Sequence, residues 1–293
     1  QQRSNPQAIA SYEHDRLVNP YPKSDFRYSQ TFDEQALAVK SLKLADVQKF
    51  YSDFYNSTAA TVAVVGAFDE AAVAGELNNL LANWKSPVAF ERAAMVYFDT
   101  PAQAKQFNTP DKANAMMMAG MNLQLQDNDP DYPALVIGNY MLGGGFLNSR
   151  LAVRIRQKEG LSYGVGSFLQ ADPIDKAGSF GSYAIYNPDN SVKLVAAYKE
   201  ELFKMLANGF TAEELKDAVS GYLQQRKVSR SQDRELVSRL ANHLYLNRTM
   251  LWEADLESMI SALNPEQVNQ AMKRWINPDK ITIVEAGDFD RKK

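Results

Sequence analysis

Two side chains near the middle of the chain have the types and spacing to act on a developing negative charge. Arg156 lies near the end of a short basic segment, Leu151-Ala152-Val153-Arg154-Ile155-Arg156-Gln157-Lys158, and Tyr163 opens the alternating stretch that follows. A fixed guanidinium and a phenol O–H can both donate to an oxygen whose charge grows in a tetrahedral transition state. The plainer reading is that Arg156 complements the negative end of its helix and Tyr163 packs with its hydroxyl outward. Just upstream, Gly143-Gly144-Gly145-Phe146 reads either as a helix C-cap and flexible turn or as backbone free to approach a ligand.

To hold such a pair, the chain must bring a helix end and a strand start together. Gly160 is the stop signal between them, and 161–170 and 179–186 read as paired strands joined by a turn around Asp172-Pro173. Asp129-Pro130 opens a helix to about 142, and 95–98, 103–107 and 113–123 suggest further strands. Within the last of these, Met116, Met117, Met118 and Met121 read as core. Beyond the site, helices are expected from 190 to 206, 212 to 229 and 232 to 246. Thr211 and Glu214 have capping-box spacing.

The end of the chain repeats its beginning. Shifted by 221 residues, Val47, Phe54, Asn56, Thr61, Val62, Gly66, Phe68 and Asp69 fall on Val268, Trp275, Asn277, Thr282, Ile283, Gly287, Phe289 and Asp290. Helices at 44–55 and 264–275 and buried strands at 61–66 and 281–284 are therefore expected to be equivalent, and Asp69 is expected to cap a helix to about 82. The repeat sets the domains at 1–90, the second half of a truncated copy, and 91–293, a complete one. Tight strand turns mixed with crossovers predict an α+β fold of duplicated domains, each a mostly antiparallel sheet flanked by helices.

Composition excludes several functions. The 293 residues include no cysteine, so disulfides, zinc-thiolate sites and thiol nucleophiles are ruled out. A net charge of −3 with dispersed basic residues gives no case for nucleic acid. No apolar run approaches the ~20 residues of a membrane span. The opening Gln1-Gln2-Arg3-Ser4 reads as the start of a fragment.

The run Gly143-Gly144-Gly145-Phe146, Ser149-Arg150-Leu151 and Ile155-Arg156-Gln157-Lys158-Glu159-Gly160-Leu161-Ser162-Tyr163 resembles the C-terminal domain of the insulinase, or pitrilysin-like (M16), zinc metallopeptidases. The resemblance extends over the whole chain, with Asn19-Pro20-Tyr21 in place of the usual His-Pro-Tyr. It implies that Arg156 and Tyr163 are catalytic and that Gly143, Gly144, Gly145 and Phe146 line the substrate chamber. The resemblance also implies zinc in an N-terminal half, bound through a His-x-x-Glu-His motif whose glutamate activates the metal-bound water.

That motif is missing. Ala10-Ser11-Tyr12-Glu13-His14 has alanine at the first ligand, and a catalytic zinc needs three protein ligands. His14 is expected on the surface of a frayed helix and His243 as a helix-surface or packing residue. The implied function is the substrate-binding, transition-state-stabilising part of a bacterial-type zinc endopeptidase, inactive alone, with no metal ligands of its own. Its partners would be a missing zinc-binding half, in the same chain or a separate subunit, and a peptide substrate. The alternative is a non-catalytic scaffold or partner subunit. A periplasmic or secreted home follows from the resemblance only.

Overall fold

Consecutive buried residues on a strand mean that both faces of its sheet are covered, because neighbouring side chains point to opposite faces. Met116 and Met117 are such a pair, 4% and 0% exposed, in the middle of a five-stranded sheet. Its strands are β1 (Ala104–Asn108), β2 (Ala115–Leu123), β3 (Ser162–Ala171), β4 (Gly178–Tyr186) and β5 (Thr282–Gly287). Their order is β1-β5-β2-β4-β3. β1 runs parallel to β5 and every other pairing is antiparallel. This is the α+β architecture expected. The structure, a computed structural model, describes residues 2–290, with the Phe146 side chain outside the described atoms.

Helix α1 (Pro6–Val18) packs on β2 and β5. Asn5 caps it by accepting from the Gln7 and Ala8 amides, and Pro6 occupies the first turn, where its missing N–H costs little. Ile9, Ala10 and Val18 are buried. The helix is therefore docked rather than frayed, and His14 is not the surface residue expected. Its ring lies against Gly120, where an added Cβ would come within 3.1 Å of Cε1. Burial lowers the His14 pKa, outweighing the backbone groups at Gly120 and Thr282 that favour the proton.

The described chain divides into two compact units. The first comprises residues up to 30, 95–223 and 256 onward, and holds the sheet. It also holds α5 (Tyr132–Asn139), α6 (Ser191–Asn208) and α10 (Pro265–Trp275). α5 starts at Tyr132, two residues beyond the expected proline, because Asp129 first accepts from the Asp131 amide in a turn. The segment 95–98 is not the strand its composition suggests. Side chains hold it instead: Met95 N–H donates to Asp175 and Asn122 donates to the Phe98 carbonyl.

The second unit comprises 31–94 and 224–255. It contains α2 (Phe32–Ser41), α3 (Leu44–Phe54), α4 (Glu70–Leu81) and α8 (Asp233–Tyr245); α7 (Ala212–Arg230) and α9 (Leu251–Ser261) cross its boundary. Asp69 caps α4 as expected. Here a single carboxylate, Glu253, is 6% exposed and bonds Arg226, Arg239 at 2.8 Å and His243 at 3.2 Å. His243 is thus a packing residue of a buried ion cluster. No helix among the described residues is long and apolar enough to cross a membrane.

Positions related by the 221-residue shift share some local features. α3 maps onto α10, and Asn56 accepts from the Thr58 amide as Asn277 accepts from that of Asp279, at 2.8 and 3.0 Å. The two copies then diverge in burial. Val268, Ala271 and Met272 are no more than 1% exposed, whereas their counterparts Val47, Phe50 and Tyr51 are 54%, 57% and 52% exposed. Residues 61–66, expected as a buried strand, form no strand, and Val62 and Val64 are exposed. β5 is held between β1 and β2, whereas residues 61–66 pair with no strand among the described residues.

The lowered His14 pKa makes stability depend on pH. The unfolded chain protonates His14 near the ordinary histidine value of 6.5 while the folded chain resists. The contribution is therefore complete above that value and declines as pH falls through it. Denaturant midpoints should show wild type losing stability relative to His14→Gln between about pH 7.5 and about pH 5.5.

Candidate functional site

β3 is an edge strand, and its pairing with β4 begins irregularly. Ser162 lies opposite Tyr186 and Gly164 opposite Ile185, so Tyr163 is the extra residue of a β-bulge. Bulges redirect a side chain and are common beside active sites. Tyr163 is 65% exposed. The phenol makes no hydrogen bond among the described residues.

The segment bearing Arg156 is anchored at both ends. Arg150 bonds Glu214 through Nε and Nη2 at 2.7 and 2.8 Å and reaches the Gly209 carbonyl at 2.8 Å. That guanidinium holds the Glu214 carboxyl below its ordinary pKa. Ala152–Lys158 then winds in wide turns, with the Glu159 amide bonding back five residues to the Arg154 carbonyl. Gly160 takes φ of 61° and reverses the chain. The Leu161 amide donates to the carbonyl of fully buried Ile155 at 2.9 Å. That bond ties the residue before Arg156 to the second residue before Tyr163.

The two arginines of this segment differ. Arg154 bonds Glu159 and, at 2.9 Å, Glu200, and the two carboxylates raise its pKa. Arg156 is exposed, with no hydrogen bond or ion pair among the described residues. No hydrogen bond joins Arg156 to Tyr163. What they share is a common backbone support.

The glycine stretch is tightly packed rather than flexible. Tyr140–Gly144 is a second wide turn, closed by the Gly145 amide on the Tyr140 carbonyl at 2.7 Å. Wide turns of this kind are rare and concentrate at functional sites. Gly143 is buried against β3, where a Cβ would sit 2.4 Å from the Ser167 nitrogen. At Gly144 a Cβ would be 2.9 Å from Asn139 Nδ2, and at Gly145 2.8 Å from the Tyr140 carbonyl oxygen. None of the three takes a positive φ. The Phe146 side chain lies outside the described atoms; its backbone opens a 3₁₀ turn, Phe146–Asn148. Gln157 donates to the Leu147 carbonyl at 2.6 Å, joining this turn to the basic segment. Tyr140, Met141, Gly145, Asn148, Glu214 and Asp217 border a cavity of about 250 Å³.

The residues near the lost zinc motif do not fit a metal. Ala10 is fully buried, Glu13 pairs with Arg16 at 3.1 Å, and the His14 ring faces the sheet. Among the described residues no three His, Cys, Asp or Glu side chains are grouped to hold an ion.

Residues 41–222 match the family described as "Peptidase M16 inactive domain". The chain belongs to this peptidase M16 family. "Non-peptidase homolog YmxG" of Helicobacter pylori is 24% identical over 249 residues, covering 84% of this chain and 56% of that protein. "Uncharacterized zinc protease SCO5738" of Streptomyces coelicolor is 26% identical over 236 residues, covering 78% and 50%. The chain spans about half the length of these M16 relatives. The crystal structure of a peptidase M16 inactive domain from Pseudomonas fluorescens superposes with a TM-score of 0.78 at 27% identity, over 98% of this chain and 66% of that one.

The glycine packing is directly testable. Gly143→Ala should destabilise by about 1–3 kcal/mol, the usual cost of overpacking. Gly164→Ala, whose Cβ would meet nothing within 4 Å, should stay within about 0.5 kcal/mol. Equal unfolding midpoints for the two variants would contradict the close approach at Ser167.

Proposed function

We propose that this chain is the substrate-binding and transition-state-stabilising part of a zinc-dependent endopeptidase whose metal is held outside these residues. The observation that carries the reading is the contrast within one anchored segment. Arg150 and Arg154 are both engaged by carboxylates, whereas Arg156 and Tyr163 are exposed and make no hydrogen bond or ion pair among the described residues. Two such donors suit a peptide carbonyl oxygen as it becomes tetrahedral: Tyr163 would give its O–H and Arg156 an N–H. Donors placed in advance act without reorganising as charge develops. Gly143, Gly144, Gly145 and Phe146 would line the substrate side. An extended peptide added to edge strand β3 would be read mainly through its backbone, giving broad sequence tolerance.

A second reading is a non-catalytic scaffold. It draws support from the M16 relative named a non-peptidase homolog. The unengaged arginine and tyrosine favour the catalytic reading over it.

The partner would be a zinc-binding half, in the same polypeptide or a separate subunit. The exposed faces of α3 and 62–64, buried at the equivalent positions of the second copy, support this. Such a half would supply strands on both sides of 61–66 and a helix over Val47, Phe50 and Tyr51.

Two measurements separate these readings. In the assembled enzyme, Tyr163→Phe and Arg156→Ala should each lower kcat by about 10²–10³ and change KM less. Unchanged turnover in both variants reduces the pair to structural residues. Hydrogen exchange at 62–65 should be fast in this chain alone and slow in the assembly. Fast exchange in both would sink the proposed partner geometry.

A further inference from the structure

We infer that Ser162 is a positioning residue for Tyr163, its hydroxyl holding the bulge that turns the phenol out of β3. The functional part of this inference rests on the reading of Tyr163 given above. Its structural part stands on the backbone alone.

The bulge is forced between two fixed points. Downstream, Phe168 lies over Gly181, where a Cβ would come within 2.2 Å of the ring and which therefore pins the β3–β4 register. Upstream, the Leu161 amide is fixed on the Ile155 carbonyl, and the Leu161 carbonyl accepts from Asn190 Nδ2 at 3.3 Å. Between these anchors β3 has one residue more than β4 can match, and the surplus falls at Tyr163.

A surplus residue disrupts the ladder locally and leaves backbone groups to be satisfied elsewhere. Ser162 is 8% exposed, and its Oγ accepts from the Gly164 amide at 3.0 Å. The same hydroxyl is within donating distance of the Gly164 carbonyl, 2.7 Å, and of the Ile185 carbonyl across the ladder, 3.0 Å. One side chain thus spans the extra residue from both sides. Without it, the Gly164 N–H would lose that acceptor. A slip that restored the regular ladder would move the Tyr163 side chain to the opposite face. Alanine lacks the bridging group, whereas threonine keeps it.

The first arm uses the 293-residue chain. Ser162→Ala should speed amide exchange at Gly164 by about tenfold, the loss of one hydrogen bond, and Ser162→Thr should restore protection. Unchanged Gly164 protection in the alanine variant overturns the inference. The second arm uses the assembled enzyme, where Ser162→Ala should lower kcat by about 10- to 100-fold. In a Tyr163→Phe background the same substitution should have little further effect. An equal loss in that background would mean that Ser162 acts other than through the phenol, and would also overturn the inference. If Tyr163→Phe itself leaves turnover intact, the catalytic reading fails while the exchange arm still decides what holds the bulge.

Discussion

The hydrogen bond from the Leu161 amide to the Ile155 carbonyl is the constraint on which the geometry of the candidate site depends. It joins a helix end to a strand start across the reversal at Gly160, and both of its residues are buried. A backbone bond in such surroundings is costly to leave unmade. Arg156 and Tyr163 therefore need no contact with each other to keep a fixed relation. The support also leaves both side chains free, because Arg154, Glu159 and Glu200 settle the local charge without engaging Arg156.

The glycine stretch serves the same end by removing volume. With a hydrogen at Gly143, the wide turn of Tyr140–Gly144 can lie directly on β3 at Gly166 and Ser167. Ser167 completes the contact by donating to Asn139 Oδ1 at 2.7 Å. Helix, turn and edge strand thus pack as one body. Three adjacent glycines invite a reading of flexibility, yet at Gly143 and Gly145 a methyl group would collide with backbone, and at Gly144 it would press on the Asn139 amide.

Much of the fold is legible because local and tertiary demands agree. The apolar spacing of α10 follows from the face it buries, and Met116, Met117 and Met121 of β2 are core while Met118 is half-buried. Legibility fails where tertiary context decides. Residues 61–66 have strong strand propensity, but a strand exists only with partners, and the described residues provide none for them. His14 sits in a polar stretch whose burial comes from the sheet beneath it. α9 is signalled only by Leu256 and Ile260 at helical spacing, with the weak cap that Thr249 gives the Leu251 amide. At the site, Arg156 and Tyr163 stand out by type and spacing. The bulge does not, since the alternation of 162–168 runs on as if no residue were extra. The wide turns leave no mark in composition either.

The unequal burial of the two repeats also bears on solution behaviour. Thr61-Val62-Ala63-Val64-Val65 is β-branched, uncharged and free of proline, the composition of segments that stack into cross-β assemblies. Its counterpart in β5 is protected by strands on both sides, whereas this segment has unpaired backbone edges. Charged gatekeepers are distant, the nearest being Asp53 and Asp69. The β5 counterpart, Thr282-Ile283-Val284-Glu285-Ala286, carries a glutamate that residues 61–65 lack. By composition and exposure, this segment matches the physical description of an aggregation-prone edge.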